Sequence, residues 1–507
     1  MLHPLPVAVV GAGPTGMAAA LLLARRDVSV VVLERHPAPW PLPRAVHADD
    51  EVARVLQAAG VRLAAVSRAA LGLRLLDPDH RVLAEFARSP GAARHGHPQA
   101  NLFDQPDLEA LLREELARCP LVELRTGVDV LAVDVPPGRP PRLHLRGGGV
   151  LDAAAVLGCD GAGSVVRQAV GGRWQDLGFE EPWLVIDARC PTPLQTWDGV
   201  QQVCDPHRAA TYLRVGKDRY RWEFALRPGE SADALAAPEV LRGLLLPWTG
   251  GAEVEVLRSA VYVFRARLAG RWRAGRVFLL GDAAHLTPPF VGQGLGAGLR
   301  DAANLSWKLA RVLQGAAPEA LLDSYQGERR PHVRSQIRLA RTAGWAMTGG
   351  QDRAAGLRRR ALRAVCALPG STARVLDTGS PALHGPLVPR RRGRPRPGTL
   401  APQPAVTVDG RRLLLDEAVG DGFAVLTRVA PDPALHRLAG ALGAPLFVLD
   451  GPAGPLRAWL GRSSAVLLRP DRTVLAAARS GRPGAEITRR DAAVLRLVGV
   501  GAAAPGA

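Results

Sequence analysis

The chain has 507 residues, which at about 150 residues per domain predicts roughly three domains, or two with long insertions, and a substantial core. Hydrophobic residues make up 47% and charged residues 22%, a balance that excludes a mainly disordered or fibrous protein, and no apolar run reaches the ~18–20 residues of a membrane-spanning helix. The net charge of +18 rests almost wholly on arginine, since Lys217 and Lys308 are the only lysines, so a GC-rich coding bias explains it as well as nucleic-acid binding does.

The five cysteines (Cys119, Cys159, Cys190, Cys204, Cys366) are widely spaced with no C-x-x-C, which speaks against a disulfide framework and a zinc site, and no metal is expected. Met1 to Val10 lacks the charged start and cleavage site of a signal peptide, so the reading is a cytoplasmic protein with reduced thiols and no membrane partner.

Residues 5–35 predict a strand, a glycine turn, an Ala/Leu-rich helix and a second strand ending in an acid, a β-α-β unit. Residues 41–61 predict a proline-bearing loop feeding a helix, with Asp49 or Asp50 near its positive end, and a further helix is expected over Asp107–Ala117. Short strands separated by Gly and Pro clusters follow from 120 to 160, and residues 180–265 alternate apolar and polar as half-buried antiparallel strands do. The strand at 276–282 runs into a second glycine loop and a helix that ends near Gly315, and helical sequence continues beyond it. The segment 385–402 reads as a Pro/Gly/Arg linker, and the remainder as a small α/β domain.

Gly11, Gly13 and Gly16 form G-x-G-x-x-G between a strand and a helix, and Glu34 closes the second strand. The glycines permit a tight turn and close approach of a pyrophosphate to the helix start, while the acid suits an adenosine ribose. By itself this leaves FAD and NAD(P) open. Two later segments also follow strands: Gly158-Cys159-Asp160-Gly161-Ala162-Gly163-Ser164 with Arg167, and Gly281-Asp282-Ala283-Ala284-His285 with Pro288, Pro289, Gly292, Gln293 and Gly294.

With these three motifs in order over about residues 5–345, the chain resembles the single-component FAD-dependent aromatic hydroxylases, the group that includes p-hydroxybenzoate hydroxylase. Residues 43–51, 203–206, 221–224 and 298–309 are most similar to the 3-(3-hydroxyphenyl)propionate hydroxylase branch. The resemblance implies an α/β fold: a Rossmann-type FAD-binding domain in two parts (1–180 and 271–385), an inserted β-rich substrate domain (181–270), a linker (386–402) and a C-terminal thioredoxin-like domain (403–507) lacking C-x-x-C. It implies bound FAD, transient NADH or NADPH, O2 as co-substrate, and hydroxylation of a phenolic or other aromatic small molecule through a flavin C4a-hydroperoxide, in a monomer or homodimer.

For the cofactor the resemblance carries over Gly11, Gly13, Pro14, Thr15, Gly16 and Glu34; Arg35 and Arg44 on the adenosine or pyrophosphate side; Gln105 near the phosphates; and Asp160 and Gly161, with Arg167 as an attractor of nicotinamide phosphates. Asp282 matches the acid that binds the ribityl chain, and Pro289, Gly292, Gly294, Leu295 and Gly296 the stretch beside the isoalloxazine ring. Many relatives have Asn where this chain has Gly296, which leaves steadying of the flavin to backbone groups.

Candidates for the substrate pocket are His47, Tyr212, Tyr220, Trp222, Phe224 and Pro288, with Arg214, Tyr262 and Phe264 on the same run of strands. Packing is the competing role for the aromatics, and a structural hydrogen bond for His47 and His285, so no base is named. A flavin epoxidase or Baeyer-Villiger enzyme acting on a polyketide or other secondary metabolite shares every cofactor motif. Nucleic-acid binding through Arg392-Gly393-Arg394-Pro395 and the basic run at 357–365 is the alternative from another class; no nucleic-acid partner is expected.

Overall fold

The structure is a computed structural model that describes residues 5–39, 44–216, 218–348, 380–389, 395–449 and 454–501, with the single positions 356 and 364. The basic run at 357–365, apart from position 364, and the Arg392–Arg394 run lie outside the described residues.

A six-stranded sheet forms the first layer, in the order Arg273–Ala274, Val277–Leu279, Ala155–Gly158, Val7–Val10, Val30–Glu34, Val122–Thr126. All neighbours are parallel except the first pair. Val7–Val10 is central, buried on both faces, and this accounts for its unbroken aliphatic run. The helix Pro14–Ala24 packs on it and is buried along nearly its whole length, because the long helix Gly294–Leu313 covers its other side.

The second layer is an eight-stranded sheet: His285–Leu286, Glu255–Ala269, Trp174–Arg189, Arg219–Ala225, Ala210–Arg214, Val200–Val203, Gly72–Leu76, Val82–Ala87. Its first strand and its last two come from outside 181–270, so the sheet is not confined to the expected insertion. Gly72–Leu76 joins by parallel pairing with Val200–Val203, a partner far away in the chain. The helix Pro238–Thr249 covers one face and seals a cluster of Tyr212, Tyr220, Trp222, Phe224 and Trp248.

Asp49 caps the helix Asp50–Ala58 by accepting from Val52 N at 2.8 Å, and the helix expected over Asp107–Ala117 spans Gln105–Arg118. The segment read as a linker is packed where it is described: Leu387, Val388 and Ala401 are buried, and Leu400 bridges to Thr473. Beyond it a hairpin (Ala405–Val408, Arg411–Leu414) turns on Asp409 and Gly410, both at positive φ as a two-residue turn requires. A four-stranded sheet follows, in the order Leu446–Val448, Ala424–Thr427, Ala465–Leu468, Val474–Ala478, its first pair parallel and the others antiparallel.

A dry ionic cluster fastens this C-terminal sheet to the first layer. Glu328 accepts from Lys308 Nζ at 2.8 Å, from Asn304 Nδ2 at 2.8 Å and from Arg469 through Nη1 and Nη2 at 2.9 and 3.0 Å. Glu328, Lys308 and Arg469 are fully buried. A second clasp joins Arg54 to Asp416 at 2.6 and 2.7 Å. Among the described residues no helix is long and apolar enough to cross a membrane.

Candidate active site

The first glycine loop is shaped by contacts that exclude a side chain. A Cβ on Gly11, whose φ is +102°, would lie 2.4 Å from the Cys159 carbonyl oxygen, and one on Gly16 would lie 2.1 Å from that of Gly11. Gly13, the N-cap, faces open space, with no atom within 4 Å of where a Cβ would sit, and Pro14 follows where no amide hydrogen is needed. Glu34 ties the loop together, accepting from Ala12 N at 2.8 Å and His36 N at 2.9 Å. Thr15 is wedged towards Gly281 and Gly298, joining the loop to the helix Gly294–Leu313.

The second loop is held by its own acid: Asp160 Oδ2 accepts from Val165 N at 2.8 Å and Val166 N at 3.2 Å, and Gly161 has positive φ. Arg167 donates to the carbonyls of Ala283 (3.2 Å) and Ala162 (2.8 Å) and lies over Trp174. It therefore ties the second loop to the third. Gln105 is likewise committed, its Oε1 accepting from Arg44 N (3.1 Å) and Ala45 N (2.7 Å) and its Nε2 donating to Glu109 (2.7 Å). It shapes the loop that carries Arg44. Arg35 and Arg44 are exposed.

Asp282 is exposed, yet so surrounded by protein that burial raises its carboxyl above the usual range against the pull of His285 and Arg44. An accessible acid set deep in the molecule marks an internal recess. Behind it, Asp301 accepts from Gly281 N at 3.1 Å, from His285 Nε2 at 2.7 Å and from Arg329 Nε at 2.8 Å. His285 is fully buried in this network, a structural position.

The third loop follows Pro288 and Pro289. Gly292 is left-handed (φ 61°), and a Cβ there would meet His47 Nδ1 at 2.9 Å, so His47 packs beneath the loop; burial lowers its imidazole, with Asp49 opposing. Gly294 faces open space at the start of its helix, and Leu295 is half-buried. Gly296 has a cause in this chain: a Cβ would lie 2.6 Å from Arg300 Nη1 and 3.0 Å from Val52. Arg300 is held by Asp49 (2.5 Å), Glu51 (2.7 Å) and Gln293 (2.8 Å) and has little room to retreat. Gly296→Asn is expected to cost about 1–3 kcal/mol by overpacking, measured by thermal unfolding.

Gly13 and Gly294, each at a helix start, both face open space, as a bound dinucleotide such as FAD requires. The helix starts would face its pyrophosphate and its flavin.

The substrate side differs from expectation. Tyr212, Tyr220, Trp222 and Phe224 point away from these loops into the core under Pro238–Thr249. Tyr212 hydroxyl pairs with Thr196 Oγ1 (2.6 Å), and Tyr220 hydroxyl accepts from Leu194 N (3.1 Å). Tyr212→Phe is accordingly expected to lower stability by about 1 kcal/mol and leave the KM for an aromatic substrate unchanged, as denaturant titration and initial rates would read.

The opposite face, one residue out of phase, meets the segment at Arg44 and the third glycine loop. Arg221 Nη1 donates to the Arg44 carbonyl at 3.0 Å, and Phe290 packs on Trp183 with ring centres 6.0 Å apart. Between these two contacts lie Val185 and Glu223, while Asp187 stands opposite Arg221 itself, with Arg258 on the adjoining strand. Arg221 grips Asp187 through Nε (2.8 Å) and Nη2 (3.1 Å). Sequence reasoning passed over these charged residues although buried charges on strands are costly and so informative.

Residues 4–340 match the FAD binding domain family. The chain is 36% identical to the probable NADH-specific resorcinol 4-hydroxylase of Rhodococcus jostii (strain RHA1), over 83% of this chain and 78% of that protein. It is 35% identical to the 3-(3-hydroxy-phenyl)propionate/3-hydroxycinnamic acid hydroxylase of Mycobacterium avium (strain 104), over 94% and 90%. Aklavinone-11 hydroxylase, solved with FAD and aklavinone, shares the fold with a TM-score of 0.81, 24% identity and coverage of 98% of this chain and 99% of that one. The glycine loops, the recess at Asp282 and these relatives agree: the chain belongs to the FAD binding domain family, among the FAD-dependent aromatic hydroxylases, and is a flavoprotein monooxygenase that uses NAD(P)H and O2.

Proposed function

We propose that the substrate is a small phenol held between the third glycine loop and the polar face of the eight-stranded sheet. The observation that carries this reading is the meeting of Arg44 and Phe290 with one face of that sheet, which leaves Val185 and Glu223 as the wall between them. The two hydroxylase relatives, named for resorcinol and for 3-(3-hydroxyphenyl)propionate, support a phenolic substrate.

Bound FAD, once reduced by NAD(P)H, would activate O2 for transfer of one oxygen atom to the ring. The chain's own work is to place and shelter the reactants. Gly11, Gly13 and Gly16 would admit the pyrophosphate, Glu34 and Arg44 lie on the adenosine side, and Asp282 would take the ribityl hydroxyls. The backbone N–H groups at Gly294–Gly296 would face the flavin's pyrimidine edge and favour negative charge there. Trp183 and Phe290 would help keep water out of the recess.

The remaining assignments belong to the same reading. The C-terminal sheet is thioredoxin-like in its strand order and pairing, without a dithiol motif, and serves as a docking partner of the FAD domain. The domain limits are those of the sequence reading, with residues 72–87 added to the substrate sheet. The protein acts in the cytoplasm, as a monomer or homodimer.

The test is NADH and NADPH oxidation by the FAD-loaded protein under O2, with and without resorcinol and 3-(3-hydroxyphenyl)propionate. Phenol-stimulated oxidation with a ring product heavier by one oxygen atom is expected; an epoxide or lactone, or no response to any phenol, would overturn the reading.

A further inference from the structure

Glu223 lies one position from Trp222 on the strand Arg219–Ala225 and so points to the face that meets the flavin loops. Its cross-strand neighbours are Val185 and Thr211, and the Thr211 hydroxyl is already given to Gln202 Oε1 at 2.9 Å. Its ion-pair contact with Arg221 is 3.9 Å, beyond hydrogen-bond reach, because Arg221 is committed to Asp187 and to the Arg44 carbonyl. The residue is 9% exposed, so a carboxyl with lone pairs to spare sits in a sheltered place on the substrate wall.

We propose that Glu223 accepts the hydrogen bond of the substrate's ring hydroxyl and takes its proton as the ring is oxygenated. The phenolic O–H bond breaks, its electron pair stays on the ring oxygen, and the proton moves to a Glu223 carboxylate oxygen. This rests on the phenol-hydroxylase reading above. The charged groups facing Glu223 are Arg221 on its own strand and Asp187 on the next; Arg258, one strand further, pairs with Asp187 at 3.7 Å. Burial raises the Glu223 carboxyl, Arg221 opposes and Asp187 adds to the rise, which makes it a stronger base than an exposed glutamate.

The experiment compares FAD-loaded wild type, Glu223→Gln and Glu223→Asp, with 4-nitrophenol as a binding probe whose phenolate alone is yellow. Wild type is expected to bind the probe as phenolate below its solution pKa, Glu223→Gln as the neutral phenol, and Glu223→Asp to recover part of the phenolate. With a turned-over phenol, Glu223→Gln should lower kcat about 10²- to 10⁴-fold, change KM far less, and remove the acid limb of the pH profile. A Glu223→Gln protein that keeps the phenolate spectrum and the acid limb overturns the proposal while the phenol reading stands. A wild type that neither binds nor oxygenates any phenol overturns both.

Discussion

Glu328→Gln is expected to lower the unfolding free energy by about 3–5 kcal/mol, the cost of leaving buried cations without their carboxylate. Lys308 and Arg469 both converge on Glu328, and none of the three reaches water. Burial alone would raise the Glu328 carboxyl, but Arg469 and Lys308 outweigh it and hold it down at about 2, against an ordinary value of 4.5. A depressed carboxyl contributes stability above its unfolded pKa and loses it as pH falls towards the folded one. The wild type should therefore weaken between about pH 4.5 and pH 2, and Glu328→Gln should lack that component of the acid transition. Urea unfolding at several pH values reads both effects. Arg469 lies in the C-terminal domain, so faster proteolytic release of residues beyond 402 should accompany the loss.

Gly11→Ala and Gly13→Ala are expected to abolish FAD retention by different routes. A methyl on Gly11 meets the Cys159 carbonyl at 2.4 Å on a left-handed backbone, so strand and turn must separate. The strain of ~1–2 kcal/mol for the backbone and ~1–3 kcal/mol for overpacking predicts a lower Tm in the apoprotein as well as weaker FAD binding. At Gly13 nothing in the protein opposes the methyl, and φ is −73°. There the apoprotein should keep its Tm and lose only the cofactor, because the methyl would occupy the space proposed for the pyrophosphate. Flavin content after desalting and calorimetry of the apoproteins separate the two cases. Equal Tm losses at both positions would contradict the assignment of open space above Gly13.

The Rossmann half was legible because its requirements are local: a turn that admits no Cβ at Gly11 and Gly16 can be written only with glycine, and Glu34 closes the next strand. Membership of the eight-stranded sheet was not, since Gly72–Leu76 is placed there by pairing with Val200–Val203, and nothing local marks that partner. The alternation of Tyr220, Arg221, Trp222, Glu223 and Phe224 was visible, but both faces of this strand are buried, so period two alone does not say which one looks at the flavin. Of the aromatic candidates, Tyr212, Tyr220, Trp222 and Phe224 fill the core, whereas Tyr262 lies on the other face in register with Trp183, and the charged residues Arg221 and Glu223 face the loops. Gln105 and Arg167 resemble phosphate contacts in the sequence; in the structure Gln105 accepts from the Arg44 and Ala45 amides and Arg167 donates to the Ala162 and Ala283 carbonyls, a use that becomes visible only once those loops are brought together.

The two-faced sheet also bears on how such an enzyme can change. Tyr212, Trp222 and Phe224 maintain packing under one helix, while Val185 and Glu223 meet the space on the other side, and adjacent positions along a strand serve separate tasks. Mutations that alter substrate preference can therefore accumulate on the inner face with little loss of fold stability, and repacking under the helix can proceed without disturbing selectivity. Evolution of new substrates on this scaffold should run through inner-face positions that carry neither the Arg221–Asp187 pair nor the Trp183–Phe290 contact, Val185 and its cross-strand neighbour Ala260 among them, where a single-site library would find altered specificity at near-native thermal tolerance.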